Sequence, residues 1–215
     1  MGQRRTKPTL SEAGQRCIQQ YGAVLREEDD LTLITIANYL SDLQHFAAWY
    51  ETTWSEGQDD TCAFAPQKIT TPTITRYRTF LQTVQHLKPN SINRALITIK
   101  RYCAWAVTQD LLRRDPAKLV KLVAEVNQPP RHLTDHEEDA LIVAVTLSGT
   151  LRDQTVIVLL LHTGLRAREL CTLTHQDVHL GKRSGHIRVC GKRNKYRDVP
   201  LNSTARASLL LYLET

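Results

Sequence analysis

The chain has 215 residues, a formal net charge of +6 and a pI near 9.2, with 41% apolar and 23% charged residues. That length admits one large domain or two small ones, and the balance of apolar to charged residues excludes a disordered chain while the basic charge favours a polyanionic partner. Cys17, Cys62, Cys103, Cys171 and Cys190 show no C-x-x-C or Cys/His ligand spacing, and no apolar run reaches the length of a membrane span or follows the basic N-terminus as a secretion signal would. These features argue for reduced thiols in a soluble intracellular protein, against a disulfide framework, a zinc site or a membrane partner.

Residues 1–10 read as a basic arm, or equally as a frayed terminus. Weak helical patterning runs from Ser11 to Leu25, up to the acidic run Glu27–Asp30. Ile36, Tyr39, Leu40, Leu43, Phe46, Ala47 and Tyr50 recur at three and four residues, so an amphipathic helix is predicted with Trp49 at its end and Thr35, Asn38, Asp42 and Gln44 on its polar face. Residues 52–68 read as a loop. Thr73 is then the expected cap of a helix presenting Ile74, Tyr77, Leu81 and Val84, broken at Lys88-Pro89-Asn90. Ser91 opens a longer helix with Ile92, Leu96, Ile99, Cys103 and Ala106 along one stripe and Asn93, Arg94, Lys100 and Arg101 on the other side, ended before Pro116.

Four or so helices without a convincing strand make residues 11–126 an all-helical domain. Residues 127–131, with Pro129 and Pro130, read as a stiff linker. Thr134-Asp135-His136-Glu137 is a capping box for a helix running to about Leu147, which opens a second domain over 132–215. Further on, His186–Val189 and Asp198–Leu201 alternate as the strands of a hairpin, and Ser203 is the expected cap of a last helix to Leu213. The fold class is therefore mainly α with a small antiparallel β-hairpin or sheet.

Two stretches of the second domain carry chemistry. In Leu160–Leu170, the apolar run Val156–Leu161 is stopped by Gly164, and Arg166 follows on the start of another helix. A guanidinium held at such a turn stays protonated and can grip two oxygens of one phosphate, and Glu169, one helical turn on, can fix its rotamer. An ordinary helix-helix turn with a surface Arg-Glu pair fits the same residues. The second stretch, Gly185–Leu201, contains Gly191-Lys192-Arg193-Asn194-Lys195-Tyr196-Arg197-Asp198-Val199-Pro200-Leu201. Lys182, Arg183, Arg188, Lys192, Arg193, Lys195 and Arg197 form a basic cluster with no acid inside it, which repels itself unless a polyanion neutralises it. Gly191-Lys192 is no P-loop, because Gly185 lies one residue too far upstream and Arg193 stands where Ser or Thr must hold magnesium.

Together the two stretches resemble the tyrosine recombinase (phage integrase) family, whose T-G-L-R-x-x-E-L pattern matches Thr163–Leu170 and whose hairpin pattern G-K-x-x-K-x-R-x-V-P-L matches Gly191–Leu201. The resemblance implies Arg166 as a catalytic arginine, Glu169 as its acidic support and Lys192 as the catalytic lysine. It also implies that the helical domain is a core-binding domain lying across DNA, supported at Leu31–Tyr50, Asn90–Trp105 and Leu111–Pro116. In the family a tyrosine attacks the scissile phosphate to leave a 3′-phosphotyrosyl bond, without metal or other cofactor, while arginines stabilise the transition state and the lysine protonates the departing 5′ oxygen.

The family's His-x-x-Arg box and nucleophilic tyrosine lie beyond the hairpin. None of the eight histidines here has arginine three residues later, and Tyr196 and Tyr212 both stand upstream of the nucleophile's place. The expectation is a catalytic domain truncated after the lysine hairpin, with no nucleophile in this chain, inactive in cleavage, and with apolar surface left open in its second half. Double-stranded DNA is the expected partner, with a second copy or a full-length recombinase beside it and no small-molecule substrate, in the bacterial cytoplasm at the nucleoid. Arg94, Lys100, Arg101, Arg193, Lys195 and Arg197 are the expected DNA contacts, a solvated helix face being the plain alternative for the first three. A catalytically dead module of the same fold that occupies recombination sites is the alternative function. His162 is expected to be packed, and Trp49, Trp54 and Trp105 to anchor core or loops.

Overall fold

A computed structural model describes residues 9–27, 31–54, 63–125, 129–191 and 195–214. The chain divides into two compact units, Met1–Asn127 and Gln128–Thr215.

The first unit is built on α1 (Glu12–Glu27), α2 (Leu33–Trp54), α3 (Thr71–Thr83) and α4 (Pro89–Thr108). The apolar stripes of α2 and α4 meet each other, with α1 against α2 and α3 against α4. Leu43, Phe46, Leu96, Ile99 and Tyr102 are fully buried there, and rings of Tyr21, Phe64, Tyr77, Trp49 and Trp105 interlock around them. Burying each such side chain contributes roughly 1.5–3 kcal/mol, which holds helices of ordinary propensity in place. Leu10 is buried as well, so the chain enters this core two residues before α1 and the expected arm does not extend to residue 10.

Several boundaries differ from expectation. The α2 helix runs to Trp54, and Pro66–Lys68 forms a short 3₁₀ turn, so the expected loop is helical at both ends; residues 55–62, Cys62 among them, lie outside the described residues. Thr70 rather than Thr73 caps α3, its side chain accepting from the Thr73 backbone N–H, and Val84 falls past the helix end and is exposed. Pro89 opens α4 instead of breaking α3, because proline's missing N–H costs nothing in a first helical turn. Asp42 and Asn93, both placed on polar faces from periodicity, are buried: Asp42 against Arg94, and Asn93 against the chain at Val123 and Glu125.

In the second unit, Pro129–Leu133 has no regular structure, and α5 (Asp135–Ser148) opens with the expected capping box between Thr134 and Glu137. Then come α6 (Leu151–Thr163), α7 (Ala167–Cys171), β1 (Val178–Leu180), β2 (Gly185–Cys190), β3 (Tyr196–Pro200) and α8 (Ser203–Leu213). The three strands form one antiparallel sheet in the order β1-β2-β3, with Ile187 opposite both Val178 and Val199. The expected hairpin is thus two strands of three, β1 being too short to show periodicity. Asn202, not Ser203, caps α8. Leu159, Leu165, Ile187, Val189, Val199, Leu201, Ala205 and Leu209 make the core, where α6 and α8 pack together. No residue of α5 is buried, and Val143 and Leu147 are 56% and 82% exposed.

Candidate functional site

The arginine turn follows from local rules. A second capping box, Thr150 with Asp153, starts α6, and Gly164 ends it at φ +63°, a left-handed conformation that glycine takes without steric cost. Buried Leu165 pins the turn to the core, and Arg166 takes the N-cap position of α7. The Arg166 backbone N–H donates to Glu169 Oε2 at 2.9 Å, so the acid at the third position of α7 satisfies an otherwise orphaned donor.

Glu169 is the centre of the constellation. It is 9% exposed, and its carboxylate receives three further hydrogen bonds of 2.9 Å: Arg166 Nη1 to Oε1, Arg197 Nη1 to Oε1, and Arg197 Nη2 to Oε2. The paired bonds from Arg197 are a parallel fork, the strongest arginine-carboxylate geometry. They come first among the causes that pull the Glu169 carboxyl down to about 2, followed by the Arg166 backbone bond, with the Arg166 guanidinium adding less and burial opposing. Two guanidiniums thus share one carboxylate. The Arg166 side chain remains 77% exposed, held at its root and free at its face.

Arg197 reaches Glu169 because of the pleat. Arg197 pairs with Val189 and Val199 with Ile187, and side chains two apart on a strand share a face, so Arg197 continues the inward row of Val199. The period-two signal that identifies the strand also carries this placement, since Arg197, an expected DNA contact, is in phase with Val199 and Leu201. On the opposite face Arg188 pairs with Asp198 at 3.1 Å, so the basic cluster is partly neutralised by an acid just past its end. Lys195 is exposed where the hairpin closes, its carbonyl accepting from the Gly191 N–H at 2.7 Å. Lys192 and Arg193 lie outside the described residues.

In the first unit, Arg94 donates to Asp42 Oδ1 at 2.8 Å and its side chain remains 55% exposed. Burial pushes the Asp42 carboxyl above its ordinary value, against the pull of Arg94 and of Thr98. Arg101 is half-buried, its guanidinium 5.5 Å over the ring of Tyr39, and Lys100 is half-buried next to it. His162, expected to be packed, is exposed and meets Asn202 at 3.1 Å. Trp49 and Trp105 pack against the core as expected, whereas Trp54 is 38% exposed under the Arg76 guanidinium. Among the described residues no three or more His, Cys, Asp or Glu side chains are placed to hold a metal ion, and no helix is long and apolar enough to cross a membrane.

Comparison with known proteins accounts for nearly the whole chain. Residues 17–122 match the phage integrase SAM-like domain and residues 131–215 the phage integrase family. Tyrosine recombinase XerD of Xanthomonas campestris pv. campestris is 30% identical over 213 residues, covering 97% of this chain and 61% of the relative. XerC of Bacillus licheniformis is 27% identical over 194 residues, covering 88% of this chain and 60% of the relative. The chain therefore spans about three-fifths of the length of these relatives. Among solved structures, a lambda integrase tetramer bound to a Holliday junction superposes with a TM-score of 0.69 at 17% identity, covering 93% of this chain and 54% of that one, a likeness of fold. With both domains matched in the order the motifs require, this chain belongs to the phage integrase family of tyrosine recombinases.

Proposed function

We propose that this chain binds double-stranded DNA as the core-binding and arginine-bearing portion of a site-specific tyrosine recombinase acting on DNA in the bacterial cytoplasm. The observation that carries the reading is Arg166, whose guanidinium is exposed while its backbone and one terminal nitrogen are fixed by a largely buried carboxylate. A cation preplaced in this way needs no reorganisation when charge builds on the non-bridging oxygens of a phosphodiester, and removing a comparable donor costs on the order of a hundred- to a thousand-fold in rate. Lys192, which the family's hairpin motif matches, is the general acid for the 5′ oxygen. Arg94, Lys100, Arg101, Arg193 and Lys195 supply backbone contacts that position the protein without reading sequence. Cleavage also needs a nucleophilic tyrosine, and neither Tyr196, beside the hairpin turn, nor Tyr212, on α8, is assigned that part. Binding without cleavage is the activity proposed for these 215 residues, beside a second copy or a full-length recombinase.

The test is duplex binding followed by fluorescence anisotropy across a salt series. The logarithm of the affinity should fall linearly with that of salt concentration, by roughly 0.9 per phosphate neutralised, and Arg166→Ala should reduce that slope by about one contact. Salt-independent binding would refute the reading.

A further inference from the structure

Among the described basic residues of the hairpin, Arg197 turns its guanidinium onto a carboxylate of the same unit, Glu169, while 44% of its side chain stays exposed. It lies in the inward row of β3, and both of its terminal nitrogens are spent on Glu169 at 2.9 Å. That carboxylate is also the partner of Arg166 through a backbone N–H and a guanidinium nitrogen. We propose that Arg197 is a positioning residue: by forking onto Glu169 it ties the returning strand of the hairpin to the arginine turn and keeps the Arg166 guanidinium available to phosphate. The assignment rests on the function proposed above and replaces the role of direct DNA contact that the sequence suggests for Arg197.

The physical argument is one of charge sharing. Two guanidiniums on one carboxylate leave a net positive charge, and because Arg197 takes one bond to each oxygen, Arg166 needs only a single side-chain bond to Glu169. Without Arg197 the carboxylate is undersatisfied at 9% exposure. Arg166, already bonded to it, is then drawn onto it as a bidentate partner, which neutralises the site and withdraws Arg166 from an incoming phosphate. Arg197 thereby raises phosphate affinity at a group that it does not itself touch. It also holds the start of β3, because Arg197 is the second residue of that strand and the carbonyl of Lys195, just before it, accepts from the Gly191 N–H. A lysine cannot replace it, since one ammonium cannot span both carboxylate oxygens in the fork geometry.

The experiment is a double-mutant cycle on the whole chain, with wild type, Arg166→Ala, Arg197→Ala and the double variant titrated with duplex DNA. Arg197→Ala alone should weaken binding by roughly three- to ten-fold, the order of one phosphate contact at moderate salt. In the Arg166→Ala background it should cost less than about two-fold, because its effect travels through Arg166. Arg197→Lys should behave as Arg197→Ala does. An equal loss in both backgrounds, or restoration of binding by lysine, would overturn the proposal in favour of direct contact or general folding damage. The Glu169 carboxyl, titrated by carbon NMR in the same proteins without DNA, provides an independent readout. Arg197→Ala should move its midpoint up from about 2 by more than Arg166→Ala does, and an unmoved midpoint would refute the assignment. Should the chain bind no duplex at any salt, the proposed function fails while the titration still decides for or against Arg197.

Discussion

Glu169 and Asp42 are both largely buried carboxylates paired with arginine, yet their acidities move in opposite directions. The difference lies first in burial, which dominates at Asp42 and is a lesser cause at Glu169, and then in the number of donors. Glu169 collects one backbone and three guanidinium hydrogen bonds, which outweigh its desolvation, whereas Asp42 has one bond from a half-exposed Arg94 and a longer one from Thr98 at 3.4 Å, which do not. A carboxyl whose folded value lies below its unfolded one lends stability above the unfolded value and loses it as pH falls toward the folded one. For Glu169 that window runs from about 4.5 down to about 2. Thermal melts of wild type and Glu169→Gln should therefore differ by a constant amount from pH 7 to 5 and converge below 4.5 as the wild-type carboxyl protonates. A difference that does not change with pH would show that the fork contributes nothing through its charge.

Elements in this chain begin and end where side-chain and backbone donors can be satisfied. The boxes at Thr134/Glu137 and Thr150/Asp153 share the spacing Thr-x-x-acid, and the first of them is the one expected from the sequence. The cap of α3 lies three residues and that of α8 one residue before the expected position, because the backbone is extended at Thr70 and Asn202 and their side chains reach the amide three residues on. The stop at Gly164 is the most consequential, since it sets the direction in which Arg166 leaves α6. A Cβ at 164 would meet nothing within 4 Å, so substitution there carries a backbone cost alone. Gly164→Ala should destabilise the second unit by roughly 1–2 kcal/mol, seen as a lower urea midpoint, and Gly164→Asn by less. An unchanged midpoint for the alanine variant would mean that the turn readily adopts another conformation.

At the scale of the whole molecule the two units are stabilised unequally. The first encloses an aromatic-rich core between its helices, whereas the core of the second holds no aromatic ring among the described residues. The second also presents apolar side chains to solvent, Val143 and Leu147 on α5 and Leu211 on α8, at 56%, 82% and 57% exposure. Exposed apolar side chains, when they gather into a patch, drive self-association. Leu147→Glu should lower concentration-dependent association in sedimentation velocity while leaving the denaturation midpoint within about 0.5 kcal/mol, as expected of a surface substitution. A large loss of stability would show that Leu147 packs in solution against something the isolated fold does not display.

The sequence by itself determined the two-domain order, the type of nearly every long element, the arginine turn and the family. Those features follow from local spacing: stripes at three and four residues, alternation at two, glycine at a left-handed stop, and motifs contiguous in the chain. Tertiary structure decided which charged and polar groups face inward. Asp42 and Asn93 lie on faces that periodicity calls polar, and Arg197 lies in a run of basic residues, yet all three side chains are committed to partners 28 to 52 residues away along the chain. A local pattern reports the average polarity of a face. Whether a single polar side chain on it is turned to solvent or to a buried partner depends on what the fold brings opposite, and that is set only when the elements pack.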